Sequence, residues 1–293
     1  MTNYSHVLPE FRWQFGLSDS ERLSGISRRW IDYEFADKLH AMLYAKLCGH
    51  RDQPDIFILG DSRMGKTTLV KRFIETRAPE FINSEGIREK PALMIELDQP
   101  SPKQFLIEIL STSISPFNPD ATFENLFFKA MNMLENCKTK MLIIDEIQSL
   151  NQGTAREVTA ISRLIKRVSN KTGISIVGVG VKSARQLLVK DEQYANRFVA
   201  VNVPEWTAST AFRQFLKGFE SWLPLKQPSH LSSKEKAALI LQMTGGNTSK
   251  VEELLLDCAR LAITTGKECI DLDLLGLPRW KKDISFGIRE AVL

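Results

Sequence analysis

The sequence predicts an α/β fold: a parallel sheet flanked by helices, followed by a smaller helical domain. Three observations predict it. Short apolar runs alternate with amphipathic stretches from about residue 55 to residue 181. A glycine-bearing turn joins the first of these runs to a helical pattern, and the strand signal disappears beyond about residue 204. The 293 residues, 43% apolar and 25% charged, suffice for a large core and exclude a disordered chain. No apolar run approaches the roughly 20 residues that cross a bilayer. The N-terminus has no charged-then-apolar leader, so the expectation is a cytoplasmic protein. Cys48, Cys137, Cys258 and Cys269 lack zinc-site spacing and are read as reduced, buried thiols.

The elements follow in order. Residues 17–50 read as helix-like, with Phe35, Leu39, Met42, Leu43 and Leu47 at helical spacing and Gly49 as the stop. DIFILG (55–60) is a buried strand, TTLVKRFIETRA (67–78) a helix ended by Pro79, and PALMIELD (91–98) a second strand. A helix starts at Ser101 with Pro102 in its first turn, where proline is favoured, and another covers residues 121–137. KMLIIDE (140–146) is a third strand, residues 154–173 a basic helix broken by Gly173, and ISIVGVGV (174–181) a fourth strand. Three helices occupy residues 205–223, 232–246 and 249–266. The expected division is an N-terminal helical segment 1–52, an α/β core 53–203, and a helical lid with tail 204–293.

Gly60-Asp61-Ser62-Arg63-Met64-Gly65-Lys66-Thr67, continued by Thr68, fits G-x-x-x-x-G-K-[ST] between a strand and a helix. The glycines let successive backbone N–H groups converge on phosphate oxygens, and the helix N-terminus faces the same anion. Lys66 would reach the β/γ-phosphates and the Thr67 hydroxyl would coordinate Mg2+. Asp145 and Glu146 end the third strand, where ligands bind in open α/β sheets. Asp145 is the expected magnesium partner, and Glu146 the group that polarises an attacking water. A helix-capping role is the competing reading of that pair.

Net charge is +4, yet eight basic residues stand against one acid between Arg156 and Lys190. Arg156, Arg163 and Arg167 share one helix face while Val158, Ile161, Ile165 and Val168 face inward. Two readings stay open, a solvated face and a polyanion-facing surface.

The phosphate loop, the acidic strand end and the later helices resemble an AAA+ ATPase. LSDSERLSGISRRWIDYEFA, GDSRMGKT, MLIIDE, DEQYANRFVAVNVPEW and TGGNTSKVEELL resemble more closely the TniB/TnsC-type regulators of transposition, over about residues 17–275. The resemblance implies an AAA+ core with a helical lid, ATP and Mg2+ as cofactors, and a homo-oligomeric ring or filament on duplex DNA. It implies that a transposase and a target-selection protein are partners. Trp30, Ile31 and Tyr33 would lie near the adenine, with core packing as the alternative. Arg197 would be an arginine finger for the neighbouring subunit's nucleotide, or a surface ion pair with Asp191 or Glu192. Lys250 stands where many relatives have a lid arginine, and lysine keeps the charge without the bidentate fork. Relatives often carry G-T after the fourth strand where this chain has Gly180-Val181, so Lys182 or Ser183 would substitute as phosphate sensor. DNA contacts are implied for Lys103 and Thr122, beside Arg156, Arg163 and Arg167. The expected function is an ATP-dependent DNA-binding regulator of transposition. The alternatives are an ATP-switched scaffold with little hydrolysis and an AAA+ initiator or helicase loader.

Overall fold

The structure is a computed structural model that describes residues 4–49, 54–190 and 198–277. In chain order it contains α1 (Asp19–Ser24), α2 (Glu34–Leu47), β1 (Asp55–Leu59), α3 (Lys66–Arg77), β2 (Phe81–Ile82), β3 (Arg88–Glu89) and β4 (Ala92–Glu96). There follow α4 (Pro102–Ser111), α5 (Phe123–Asn136), β5 (Met141–Asp145), α6 (Ala155–Thr172), β6 (Ser175–Gly180), α7 (Arg185–Lys190) and β7 (Phe198–Asn202). The remaining helices are α8 (Thr210–Glu220), α9 (Lys234–Thr244), α10 (Thr248–Thr264) and α11 (Leu272–Leu275). Two compact units result: an α/β unit spanning Lys38–Val203, and a helical unit joining the chain before it to the chain from Pro204 on.

The α/β unit is built on five parallel strands in the order β4-β5-β6-β1-β7. Every residue of β1 and β5 is buried, as a parallel sheet covered on both faces requires. Strand β7 is an addition to the four expected strands. It pairs with β1 at the sheet edge, where Phe198 is buried but Val199 is 45% exposed, so no continuous apolar run marks it. The antiparallel pair β2/β3 was also not anticipated, because two-residue strands are too short to leave a period. Helix α6 begins with a capping box between Thr154 and Glu157 and ends at Gly173, whose φ of 71° suits glycine. Its inward face is Ile161, Leu164, Ile165 and Val168.

The N-terminal stretch is not one helix. Helix α1 stops at Ser24, residues 25–33 are irregular, and α2 starts at Glu34. The expected segment 1–52 is divided, because its two parts bury different residues. Ile26, with Phe11, Leu23 and Ile31, packs into the helical unit's core. The later part of α2 belongs to the α/β unit, where the His40 ring hydrogen-bonds the Leu69 carbonyl (2.9 Å) and Lys46 pairs with Asp55 (3.6 Å), both buried. The four cysteines form no disulfide, but only Cys258 is buried: Cys48 sits exposed in the turn after α2, and Cys137 and Cys269 are half-buried. Among the described residues no helix is long and apolar enough to cross a membrane.

The helical unit is an apolar cluster from α8, α9, α10 and α11 fixed by buried ions. The Glu220 carboxylate accepts backbone N–H bonds from Ser229, His230 and Leu231 at 2.7–2.9 Å, pinning the loop after α8. Arg22, 1% exposed, donates two parallel bonds to Glu268 (2.6 and 2.8 Å), one to the Pro224 carbonyl and one to Asp19. Burial pushes the Glu268 carboxyl up, but the Arg22 hydrogen bonds, the Lys226 N–H and both cations outweigh it and hold it below its ordinary value. Removing one partner of such a pair strands the other charge, so Arg22→Met should cost about 3–5 kcal/mol in urea unfolding. A depressed carboxylate contributes stability above its unfolded pKa of about 4.3 and loses it as pH falls through the folded value. The gap between wild type and Arg22→Met should therefore be full at pH 7 and shrink below about pH 4.

Candidate nucleotide site

All strands of a parallel sheet end on one edge, and the turns after β1, β5 and β6 meet there. The turn after β1 is the glycine-bearing loop. Gly65 at its end takes φ 78° and Arg63 takes φ 64°, a left-handed geometry that glycine adopts freely and arginine adopts at a cost. Alternating hands of this kind aim successive N–H groups into one concavity, the geometry of an anion nest. A Cβ at Gly60 would come within 3.1 Å of the Val203 side chain, a tight contact that glycine avoids. Met64 is buried and anchors the loop, while Ser62, Arg63 and Thr68 are exposed.

Lys66, 8% exposed, folds back to donate to the carbonyls of Gly60 (3.1 Å) and Asp61 (2.7 Å). Burial lowers its pKa from the usual lysine value, and the carboxylates of Glu146, Asp145 and Asp61 work against that shift. The Thr67 hydroxyl donates to Asp145 Oδ2 at 2.7 Å, and Asp145 Oδ1 accepts the Glu146 N–H at 2.9 Å. Thr67 and Asp145 thus form an oxygen-only donor pair, suited to a hard cation such as Mg2+ that completes its shell with water and phosphate oxygens. Among the described residues no group of three or more His, Cys, Asp or Glu has metal-holding geometry.

Glu146 follows at φ 52°, and its exposed carboxylate is joined by the Gln148 amide. Lys182, just after β6, pairs with Asp61 at 2.6 Å. Glu96 was not anticipated. It lies in register with Asp145 at the end of β4, and partial burial first, then the carboxylates of Asp98, Asp145 and Glu146, raise its pKa. Its signal in the sequence, an acid ending an apolar run, was present in PALMIELD.

The remaining expected residues belong to other elements. Trp30, Ile31 and Tyr33 are half-buried in the helical unit, where Tyr33 sits 5.1 Å from the Trp206 ring and 6.1 Å from Trp30. Burial, with Glu252 nearby, drives the Tyr33 phenol well above its usual range. Lys250 occupies the first turn of α10, after the Asn247 cap. Arg197 lies outside the described residues. Lys103 is in the first turn of α4, and Thr122 caps α5 by accepting the Asn125 N–H. Arg163, Lys166, Arg167, Asn170 and Lys171 line an open groove of about 520 Å³ along α6. The Arg167 guanidinium lies 4.2 Å and the Lys171 ammonium 5.5 Å from the Phe127 ring centroid, so both heads are partly oriented. Arg156 is exposed in the helix's first turn and does not line the groove.

A family model described as Bacterial TniB protein matches residues 22–208. No curated protein matches the chain. Among solved structures, the Aeropyrum pernix ORC2 protein in ADPNP-ADP complexes is similar at 16% identity and a TM-score of 0.64, over 92% of this chain and 72% of that one. Cdc6p from Pyrobaculum aerophilum follows at 16% and 0.61, over 93% and 73%. Drosophila ORC bound to DNA gives 11% and 0.53, over 93% and 67%. At these identities the likeness shows the fold: an AAA+-type P-loop core with a C-terminal helical region.

The Thr67–Asp145 pair yields a direct test. Thr67→Val, which keeps the branched shape without the hydroxyl, should weaken Mg2+-dependent binding of a fluorescent ATP analogue about tenfold or more, whereas Thr67→Ser should retain it. Binding measured without Mg2+ should separate the two variants far less.

Proposed function

The chain belongs to the TniB family of AAA+ ATPases, and on that premise we propose that it is an ATP-driven switch that assembles on duplex DNA. One observation carries the reading. A single α/β unit combines a phosphate loop tied to an acidic strand end with an aligned row of cations on α6. ATP would be held by the loop backbone and Lys66, and Mg2+ by Thr67 and Asp145. Bound Mg2+ would supply charge neutralisation at the phosphates. Glu146 would orient and deprotonate the attacking water, and Lys182 would report on the phosphates through Asp61.

Arg197 would act on the nucleotide of a neighbouring subunit, making hydrolysis depend on assembly. Such a head-to-tail contact generates a ring or a helical filament according to whether the rotation closes. The similarity to ORC2 in ADPNP-ADP complexes and to Drosophila ORC bound to DNA supports nucleotide and DNA as this chain's ligands. Within that reading, the motifs shared with TniB/TnsC-type regulators favour transposition control, with a transposase and a target-selection protein as partners. The fold likeness to ORC and Cdc6 favours an initiator-like ATPase. Sequence-tolerant coating of random duplex would support the first, and occupancy of one preferred site the second.

The α6 groove presents cations without a base-reading element, so binding should be dominated by phosphate contacts and depend steeply on salt. Lys103, Thr122 and Arg156 are further proposed contacts. In anisotropy titrations, Arg163→Ala/Arg167→Ala/Lys171→Ala should weaken duplex binding and flatten the log K against log salt slope by about 2–3 units. An unchanged slope would remove α6 from the DNA surface. Glu146→Gln should retain ATP and lose phosphate release by a factor of about 100 or more. Arg197→Ala should lose hydrolysis together with assembly on DNA, seen by electron microscopy with a non-hydrolysable ATP analogue.

A further inference from the structure

Beside the phosphate loop, the turn after β5 makes two side-chain contacts to the segment after β6. The Gln148 side-chain oxygen accepts the Val181 N–H at 3.1 Å, and the Asn151 amide donates to the Ser183 carbonyl at 3.3 Å. The other end of the Gln148 amide donates to the Glu146 carboxylate. One side chain thus spans from the exposed acid to the backbone at the exit of β6.

The sequence of β6 makes this possible. Gly178 and Gly180 point to one face of the strand, two residues apart. A Cβ at Gly178 would lie 2.9 Å from the Ile147 side chain. One at Gly180 would lie 2.5 Å from Gln148 Oε1 and 3.1 Å from Ile147. The two missing side chains are the space that Ile147 and Gln148 occupy. The Gly180-Val181 pair, where a polar residue was expected, therefore meets Gln148 through the Val181 N–H.

We infer that Gln148 is a positioning residue that fixes the Glu146 carboxylate for hydrolysis, and that Gly180 is required for it to do so. The inference rests on the proposed role of Glu146. Glu146 is exposed, so an untied side chain would sample several rotamers, most of them unproductive. The bridge removes that freedom before substrate arrives. It also connects the acid to the strand exit that carries Lys182, itself paired with Asp61 of the loop. The acid and the phosphate loop are thereby referenced to the same short segment, residues 181–183.

Steady-state hydrolysis by the full chain tests this. Gln148→Ala should lower kcat about tenfold, the order of the rotamer freedom regained, with KM and ATP affinity unchanged. Gln148→Glu keeps the size and the acceptor for Val181 but replaces the donor by a second carboxylate, and should be slower than the alanine variant. Gly180→Ala should reproduce the kcat loss by displacing the amide, and Gly180→Ala/Gln148→Ala should be no worse than either single change. Urea midpoints for each variant identify any that fail to fold. Unchanged kcat in folded Gln148→Ala, full activity of Gln148→Glu, or additive losses in the double variant would each overturn the proposal. Glu146→Gln run in parallel keeps the two readings apart. If it hydrolyses normally, the role of Glu146 and the inference fall together. If it is inactive while Gln148→Ala is normal, only the inference falls.

Discussion

A 2.7 Å hydrogen bond between Thr67 and Asp145, 78 residues apart in sequence, is the constraint around which the α/β unit is arranged. Thr67 opens the helix that follows β1 and Asp145 ends β5, strands that are not neighbours, since β6 runs between them. For the hydroxyl to reach the carboxylate, the intervening strand must end without obstruction and the flanking turns must lean over it. At the end of that strand, glycines at 178 and 180 leave room for Ile147 and Gln148 of the turn after β5. The same geometry crowds acids at the strand ends and buries the Lys66 ammonium among them. Burial and carboxylate attraction then oppose each other at one lysine.

The features legible in the sequence were those whose chemistry fixes both residue type and spacing. The phosphate loop, Asp145 with Glu146, the inward stripe of α6 and its Gly173 stop all follow local rules, and the structure builds each of those elements where the pattern places it. Strand β7 escaped because an edge strand with exposed Val199 does not look buried. Gln148 escaped for a different reason. Its partners, Glu146 and the Val181 N–H, become neighbours only once the sheet order sets β6 beside β5, and no local period encodes sheet order. Arg22 was visible as part of a motif, but its partner Glu268 lies 246 residues away. Thr122, expected at a DNA surface, also serves as a helix cap, two roles that one exposed hydroxyl can hold together.

The two units are stabilised by different means. The α/β unit relies on strands buried along their whole length and on helices pressed to them through Leu, Ile and Phe. The helical unit has an apolar centre too, but its loops are pinned by hydrogen-bonded carboxylates, buried Glu220 by three backbone N–H groups and half-buried Glu268 by Arg22 and Lys226. Such networks define one arrangement sharply, because any other leaves a charge unmatched.

The division of the chain also sets an order in time. The α/β unit is one unbroken stretch, whereas the helical unit combines residues before Lys38 with residues after Val203. On a ribosome, Arg22 emerges early and stays without Glu268 until almost the whole described chain has been made. The α/β unit can close behind it in the meantime, as domains do during synthesis. The N-terminal segment is thus held open as a nascent chain, with its arginine in water and Ile26 uncovered, and is recruited last. A chain released at the end of the α/β unit would carry a complete phosphate loop on a protein whose first helix lacks the helices it packs against.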